Sequence, residues 1–151
     1  MKKITVSLFV FVFLLAVASM TIAGKVPTPT ESPEGVIIVS AVKAKEMVDK
    51  KKVQVFDMRK ALNYGKGHLP GAVPLPYKWT RKGHPSQRTG KFDMSKLPAD
   101  KNTPIFFYSD GPNGWKSYYA SKAAYETGYK NVFWMRDGFA TWSEKGYAIE
   151  N

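Results

Sequence analysis

The sequence predicts a single α/β domain built on a mostly parallel five-stranded sheet flanked by helices. Three observations lead there. Five short apolar runs of strand type recur along the chain, separated by helical and loop segments. One of them, Pro104-Ile105-Phe106-Phe107-Tyr108, is apolar at nearly every position, as a central strand covered on both faces requires. The chain has 151 residues, 44% of them hydrophobic and 14% aromatic, which is enough for one domain with a real core.

The first elements concern export. Lys2 and Lys3 precede an apolar stretch from Ile4 to Ala18, and small residues follow at Ala16, Ala18, Ser19 and Ala23. This is the pattern of a secretory signal peptide over residues 1–23, with cleavage after Ala18 or, preferred for its small Thr21 and Ala23, after Ala23. The alternative is an uncleaved anchor, because Ile4 to Ala23 gives 20 residues, about the length that crosses a hydrocarbon core. Both readings place the folded domain outside the cytoplasm, in the periplasm by preference, and touch a membrane only if the segment stays attached. Residues 24–34, GKVPTPTESPE, hold three prolines and read as an extended linker. The domain is expected over residues 35–151.

Within it, Val36-Ile37-Ile38-Val39 is the first strand. Ser40 is placed to cap a helix running to about Lys50. Val53 and Val55 alternate with Gln54, and Phe56 closes a second strand that enters a loop at Asp57. Ala72-Val73-Pro74-Leu75 is a short strand whose proline puts it at an edge or an end. Residues 76–103 read as a long, basic, irregular excursion with one turn of helix near Met94. After the central strand come Ser109-Asp110-Gly111-Pro112-Asn113-Gly114, a turn, and then a helix from about Trp115 to Thr127. Ala120, Ala123, Ala124 and Thr127 share one face at helical spacing, and Gly128 ends the helix. Val132 to Met135 is the last strand, and Gly138 to Lys145 the last helix.

Composition excludes more than it selects. There is no cysteine, so thiolate nucleophiles, disulfide exchange and thiolate-bound metals are all ruled out. Neither a metal nor a cofactor is expected. Lys and Arg number 23 against 12 Asp and Glu, a net charge of +11, which favours anionic partners or simply a wet basic surface. Lys78, Arg81, Lys82, Arg88 and Lys91 either keep a loop solvated or surround a pocket and attract anions. Nucleic acid is not expected as a partner of an exported protein.

Three segments resemble one family. Asp57-Met58-Arg59 followed by Gly67-His68-Leu69-Pro70-Gly71-Ala72 is similar to the rhodanese pattern of an Asp-x-Arg strand end and a Gly-His-Ile-Pro-Gly-Ala turn. Ile105 to Tyr108, its loop and its helix resemble the rhodanese active-site unit. Gly128-Tyr129, Asn131-Val132, Gly138-Phe139, Trp142 and Gly146-Tyr147 resemble the family's last strand and closing helix. The resemblance covers about residues 35–149. It implies a loop whose first residue is a cysteine that carries sulfur as a persulfide, held where backbone N–H groups and a helix N-terminus meet.

Here that position is Ser109. A longer variant of the loop, with a cysteine at each end followed by Trp, aligns those ends with Ser109 and Gly114, ahead of Trp115-Lys116-Ser117. An oxygen cannot hold a transferable persulfide, and a serine nucleophile needs a base. The two histidines, His68 in the family's structural turn and His84 in the basic stretch, are not spaced for that role. No catalytic residue is therefore assigned.

The leading expectation is a homologue without sulfurtransferase activity that binds a small oxyanion or an anionic protein partner at the loop Ser109, Asp110, Gly111, Asn113, Gly114, Trp115, Lys116 and Ser117. Lys116 and Ser117 lie where an anion at a helix start would sit, or else cap and solvate the helix. Asp57, Arg59 and His68 are read as structural. The alternatives are a sulfurtransferase by family and an interaction module with no small ligand.

Overall fold

The computed structural model describes residues 25–81 and 83–151; residues 1–24, which include the expected signal peptide, and Lys82 lie outside the described residues. Five strands form one parallel sheet: β1 (Val36–Ile38), β2 (Gln54–Asp57), β3 (Val73–Pro74), β6 (Ile105–Tyr108) and β7 (Val132–Met135), in the order β1-β7-β6-β2-β3. β6 takes the centre. Its apolar run supplies both faces, Ile105 and Phe107 to one core and Phe106 and Tyr108 to the other, following the two-residue period of a strand. β3 carries its proline at the edge, where no further neighbour needs the missing N–H.

Helix α3 (Trp115–Glu126) covers one face, where Ala120 and Ala124 meet Phe107 and Trp134. Its buried side is Ser117, Ala120, Ser121 and Ala124. The expected stripe through Ala123 and Thr127 is rotated: Ala123 sits at its margin and Thr127 is exposed. The two serines account for the difference. Each satisfies its hydroxyl within the helix, Ser117 on Gly114 O at 3.0 Å and Ser121 on Tyr118 O at 2.9 Å, so both can be buried. Helices α1 (Ala41–Asp49) and α4 (Gly138–Glu144) cover the other face through Ala41, Ala44, Val48 and Trp142. Ser40 caps α1, accepting from Lys43 N at 3.3 Å. Each fully buried Phe, Trp or Ile of these cores contributes about 1.5–3 kcal/mol by leaving water.

The irregular excursion is more ordered than its composition suggests. It holds a two-stranded antiparallel ribbon, β4 (Lys78–Trp79) with β5 (Gly90–Lys91), and two 3-10 turns, Pro85–Gln87 and Met94–Lys96. A short helix α2 (Ala61–Tyr64) also follows β2. These elements are too short for periodicity to reveal. What fixes the ribbon is tertiary: Tyr77, Trp79, Phe92 and Tyr119 pack ring against ring.

Residues 25–34 contain neither helix nor strand, in keeping with their prolines. Part of the segment is nevertheless docked. Thr28 is buried, and both its N–H and its hydroxyl donate to Pro112 O at 2.8 Å. Arg136 fixes the same stretch, donating to Thr28 O and Pro29 O at 3.0 Å. Among the described residues no helix is long and apolar enough to cross a membrane.

Candidate functional site

The register of the sheet aligns the carboxyl ends of three strands, with Asp57 beside Tyr108 and Tyr108 beside Met135. In a parallel sheet this is the edge where ligands are bound. Two polar arrangements lie there, one residue apart in the chain.

The first is a closed knot. Asp57 and Arg59 are almost fully buried. Arg59 donates through Nε to both Asp57 oxygens at 3.0 Å, and through Nη2 to Oδ2 at 2.6 Å and to Gly67 O at 2.7 Å. Its guanidinium also lies 4.0 Å from the centre of the Phe139 ring. Tyr108 completes the knot by donating to Asp57 Oδ2 at 2.5 Å and accepting from Leu69 N at 3.2 Å. Burial pushes the Tyr108 phenol well above its ordinary range, and the adjacent Asp57 charge pushes it further. Burial pulls against the charge of Arg59, but the bonds and charge of Asp57 outweigh it and leave the guanidinium more basic than usual. Beside the knot, His68 N–H donates to Glu150 O at 2.8 Å, its Nδ1 lies 3.1 Å from Tyr64 O, and its ring stacks on Tyr64 at 3.7 Å. Arg59, Tyr108 and Tyr64 hold the turn at 67–72 through Gly67 O, Leu69 N and Ala72 O.

The second arrangement begins at Ser109. Its carbonyl accepts from Phe139 N at 2.8 Å, and Asp110 O accepts from Ala140 N at 2.9 Å, so the start of α4 clamps the loop. The approach is so close that only glycine fits at 138: its φ is +61°, and a Cβ there would lie 2.5 Å from Ser109 O. The other loop end comes back to the first, since a Cβ at Gly114 would lie 2.9 Å from Ser109 Cβ. The two positions aligned with a cysteine pair are thus neighbours in space. Ser109 is 1% exposed, and its hydroxyl is the one buried side-chain polar atom without a hydrogen-bond partner among the described residues.

The loop differs from the cradle expected of it. Gly114 N donates to Gly111 O at 2.7 Å, Trp115 N to Asn113 O at 3.1 Å and Ser117 N to Gly114 O at 3.3 Å. Those N–H groups serve the loop's own turns, as its length and glycines allow. Positive charge is supplied by side chains instead. A cavity of about 460 Å³ opens at this loop, lined by Ser109, Asp110, Asn113, Gly114, Trp115 and Lys116. Lys116 is half-buried there, and desolvation holds its ammonium below the usual lysine range, partly offset by the charge of Asp110. Gly111 and Ser117, expected at the site, do not line it. Gly111 packs against Ala140, and Ser117 is fully engaged, donating to Gly114 O and accepting from Trp134 Nε1 at 3.1 Å.

Residues outside the loop also line the cavity; Arg88 comes from the basic stretch expected to stay solvated or to surround a pocket, and the others were not assigned to a site from sequence. Trp79, His84, Pro85 and Arg88 reach the cavity from the β4–β5 ribbon, and Lys25 and Val26 from the segment before the domain. Of the basic stretch, Arg88 lines it among the described residues. Trp115 donates its indole N–H to Val26 O at 2.8 Å, which ties that segment to the cavity wall as a strap. A larger hollow of about 700 Å³ lies at the opposite ends of β2 and β6, but no unpartnered buried group lies there. Among the described residues no cluster of His, Asp and Glu is built to hold a metal ion.

A parallel five-stranded sheet covered by helices on both faces, with a loop-to-helix unit at the end of its central strand, defines an open α/β domain. The family model of the rhodanese-like domain matches residues 40–145, and the chain belongs to that family. Solved structures share the fold. The Alr3790 protein from Anabaena sp. superimposes with a TM-score of 0.57 at 19% identity, over 75% of this chain and 80% of that one. A thiosulfate sulfurtransferase from Pseudomonas aeruginosa gives 0.57 at 18% identity, over 77% of this chain but only 20% of its own length. A rhodanese-related protein from Thermoplasma volcanium gives 0.54 at 17%, over 76% of this chain and 97% of that one. No curated protein sequence matches the chain.

Proposed function

We propose that this chain is an exported rhodanese-like protein that carries no sulfur and instead binds an oxyanion, free or on a partner, at the pocket of Ser109. The observation that supports this most is the Ser109 hydroxyl. It stands where the resemblance puts the family's nucleophile, is buried and lacks a partner, while Lys116 and Arg88 line the same cavity. A buried donor without an acceptor costs about 1–3 kcal/mol, a cost that a bound oxyanion removes. Lys116, part-desolvated, binds an anion more strongly than a fully hydrated lysine does.

The purified protein is expected to transfer no sulfur from thiosulfate to cyanide. Its melting temperature should rise with sulfate, thiosulfate or phosphate and not with chloride at equal ionic strength, because a ligand of the native state stabilises it. Lys116→Met should remove the rise. A chloride-like response to all three anions would sink the binding claim, and turnover would sink the claim of inactivity. Export is checked by intact mass of the extracytoplasmic fraction, expected to begin near Ser19 or Gly24.

A further inference from the structure

We propose that the occupant of this pocket is an aromatic oxyanion, a small molecule with a flat ring carrying a sulfonate or carboxylate group, rather than an inorganic anion. The inference rests on the anion-binding reading above and adds the ligand's class. Size comes first. A tetrahedral oxyanion displaces roughly the volume of two or three waters, about 60–90 Å³, and the cavity measures about 460 Å³. Pockets of this size enclose organic ligands.

The walls are divided in kind. Trp79 and Trp115 provide flat apolar surface, and neither ring is loose. Trp79 meets Tyr77 and Tyr119 edge-on at 5.2 and 5.8 Å, and Trp115 lies against Tyr119 at 5.8 Å. The Trp115 indole N–H is already bonded to Val26 O, so what that ring offers a ligand is its π surface. The charged side consists of Lys116, half-buried Arg88 and exposed Lys25, facing a single acid, Asp110. Arg88 is held over the Trp79 ring at 5.5 Å and bonded to Gly83 O at 2.8 Å, which fixes a cation beside an aromatic wall. Ser109 supplies the neutral donor. An inorganic anion uses the cations and makes no use of the partly exposed Trp79 ring; an aliphatic anion gains little from flat walls. A ring bearing an oxyanion uses both.

Calorimetric titration of the purified chain with four probes tests this: sulfate, methanesulfonate, naphthalene-2-sulfonate and neutral 2-naphthol at pH 7. Naphthalene-2-sulfonate is expected to bind about tenfold or more tighter than either small anion, and 2-naphthol more weakly than its sulfonate by a similar factor. Trp79→Leu should lower arylsulfonate affinity by a larger factor than sulfate affinity, whereas Lys116→Met should weaken both by similar factors. If arylsulfonate binds no better than sulfate, or 2-naphthol binds as well as the sulfonate, the aromatic-anion assignment is overturned while the fate of the anion site is read from the sulfate arm alone. If no anion binds, both readings fall. The four-probe comparison on the unaltered protein decides the matter even where a variant does not fold.

Discussion

Tyr108 and Ser109 are consecutive, equally buried, and both carry a hydroxyl, yet they belong to opposite kinds of site. The Tyr108 hydroxyl has a donor and an acceptor bond inside the Asp57–Arg59 knot. The Ser109 hydroxyl has neither. The β-strand period explains how neighbours diverge: β6 ends at Tyr108, whose ring drops into the core beside Phe106, and the chain then turns towards the cavity. A saturated network holds the fold together and has no capacity left for a ligand. An unsaturated group one residue away is a cost the fold bears without structural return, and it is this group that the proposed oxyanion site would use.

The largest expected effect lies on the saturated side. Asp57→Ala leaves the Arg59 guanidinium buried without its carboxylate, and the loss should be about 3–5 kcal/mol, read from chemical denaturation. A loss under about 1 kcal/mol would mean that water reaches the knot and the contrast with Ser109 is false.

Alkaline pH gives the next effect. Tyr108 is raised, and Tyr77 is raised to about 12, chiefly by burial. The unfolded chain ionises these phenols near pH 10 while the native state does not, so stability should hold below about pH 10 and fall as pH rises through 12, by about 2 kcal/mol from Tyr77 alone. Phenolate absorbance should lag the titration of free tyrosine and appear with unfolding. Tyr108→Phe should flatten part of this fall; an unchanged profile would show that the Tyr108 phenol is not confined.

The smallest effect has the opposite sign. Ser109→Ala removes a hydroxyl that bonds to nothing, and should leave stability unchanged or raise it by about 1 kcal/mol while weakening oxyanion binding. A clear loss of stability on denaturation would place Ser109 with Tyr108, as part of the scaffold.

The scaffold was legible in the sequence and the pocket only half so. Ile105 to Tyr108 announced a central strand because an apolar run on both faces has few other uses, and Ser40 announced a helix start because its hydroxyl can replace a missing acceptor. Ser109, Asp110, Asn113, Gly114, Trp115 and Lys116 were reachable because they are contiguous with that strand. Trp79 was not. Nothing in its local pattern separates a wall residue from a stray aromatic in a basic loop, since its role is set by Tyr77 and Tyr119 from elsewhere in the chain. Val26 was hidden by its prolines, which correctly forbid helix and say nothing about docking. The Ser117 assignment failed because a residue at a helix start can turn its hydroxyl inward, and the partner that draws it there, Trp134, is 17 positions away.

The strap has a consequence for how the molecule comes into being. Its bonds join residues separated by 84, 89, 107 and 108 positions, nearly the whole described chain. Contacts of such separation carry the largest loop-closure entropy and form last unless the intervening structure has already brought their ends together. The β1–β7 edge of the sheet closes over a similar span, Val36 beside Val132, so the strap and that edge wait for the same two ends of the domain to meet. The strap therefore closes together with the β1–β7 edge, and a chain lacking residues 25–30 should refold, followed by tryptophan fluorescence, in the same number of phases as the full chain.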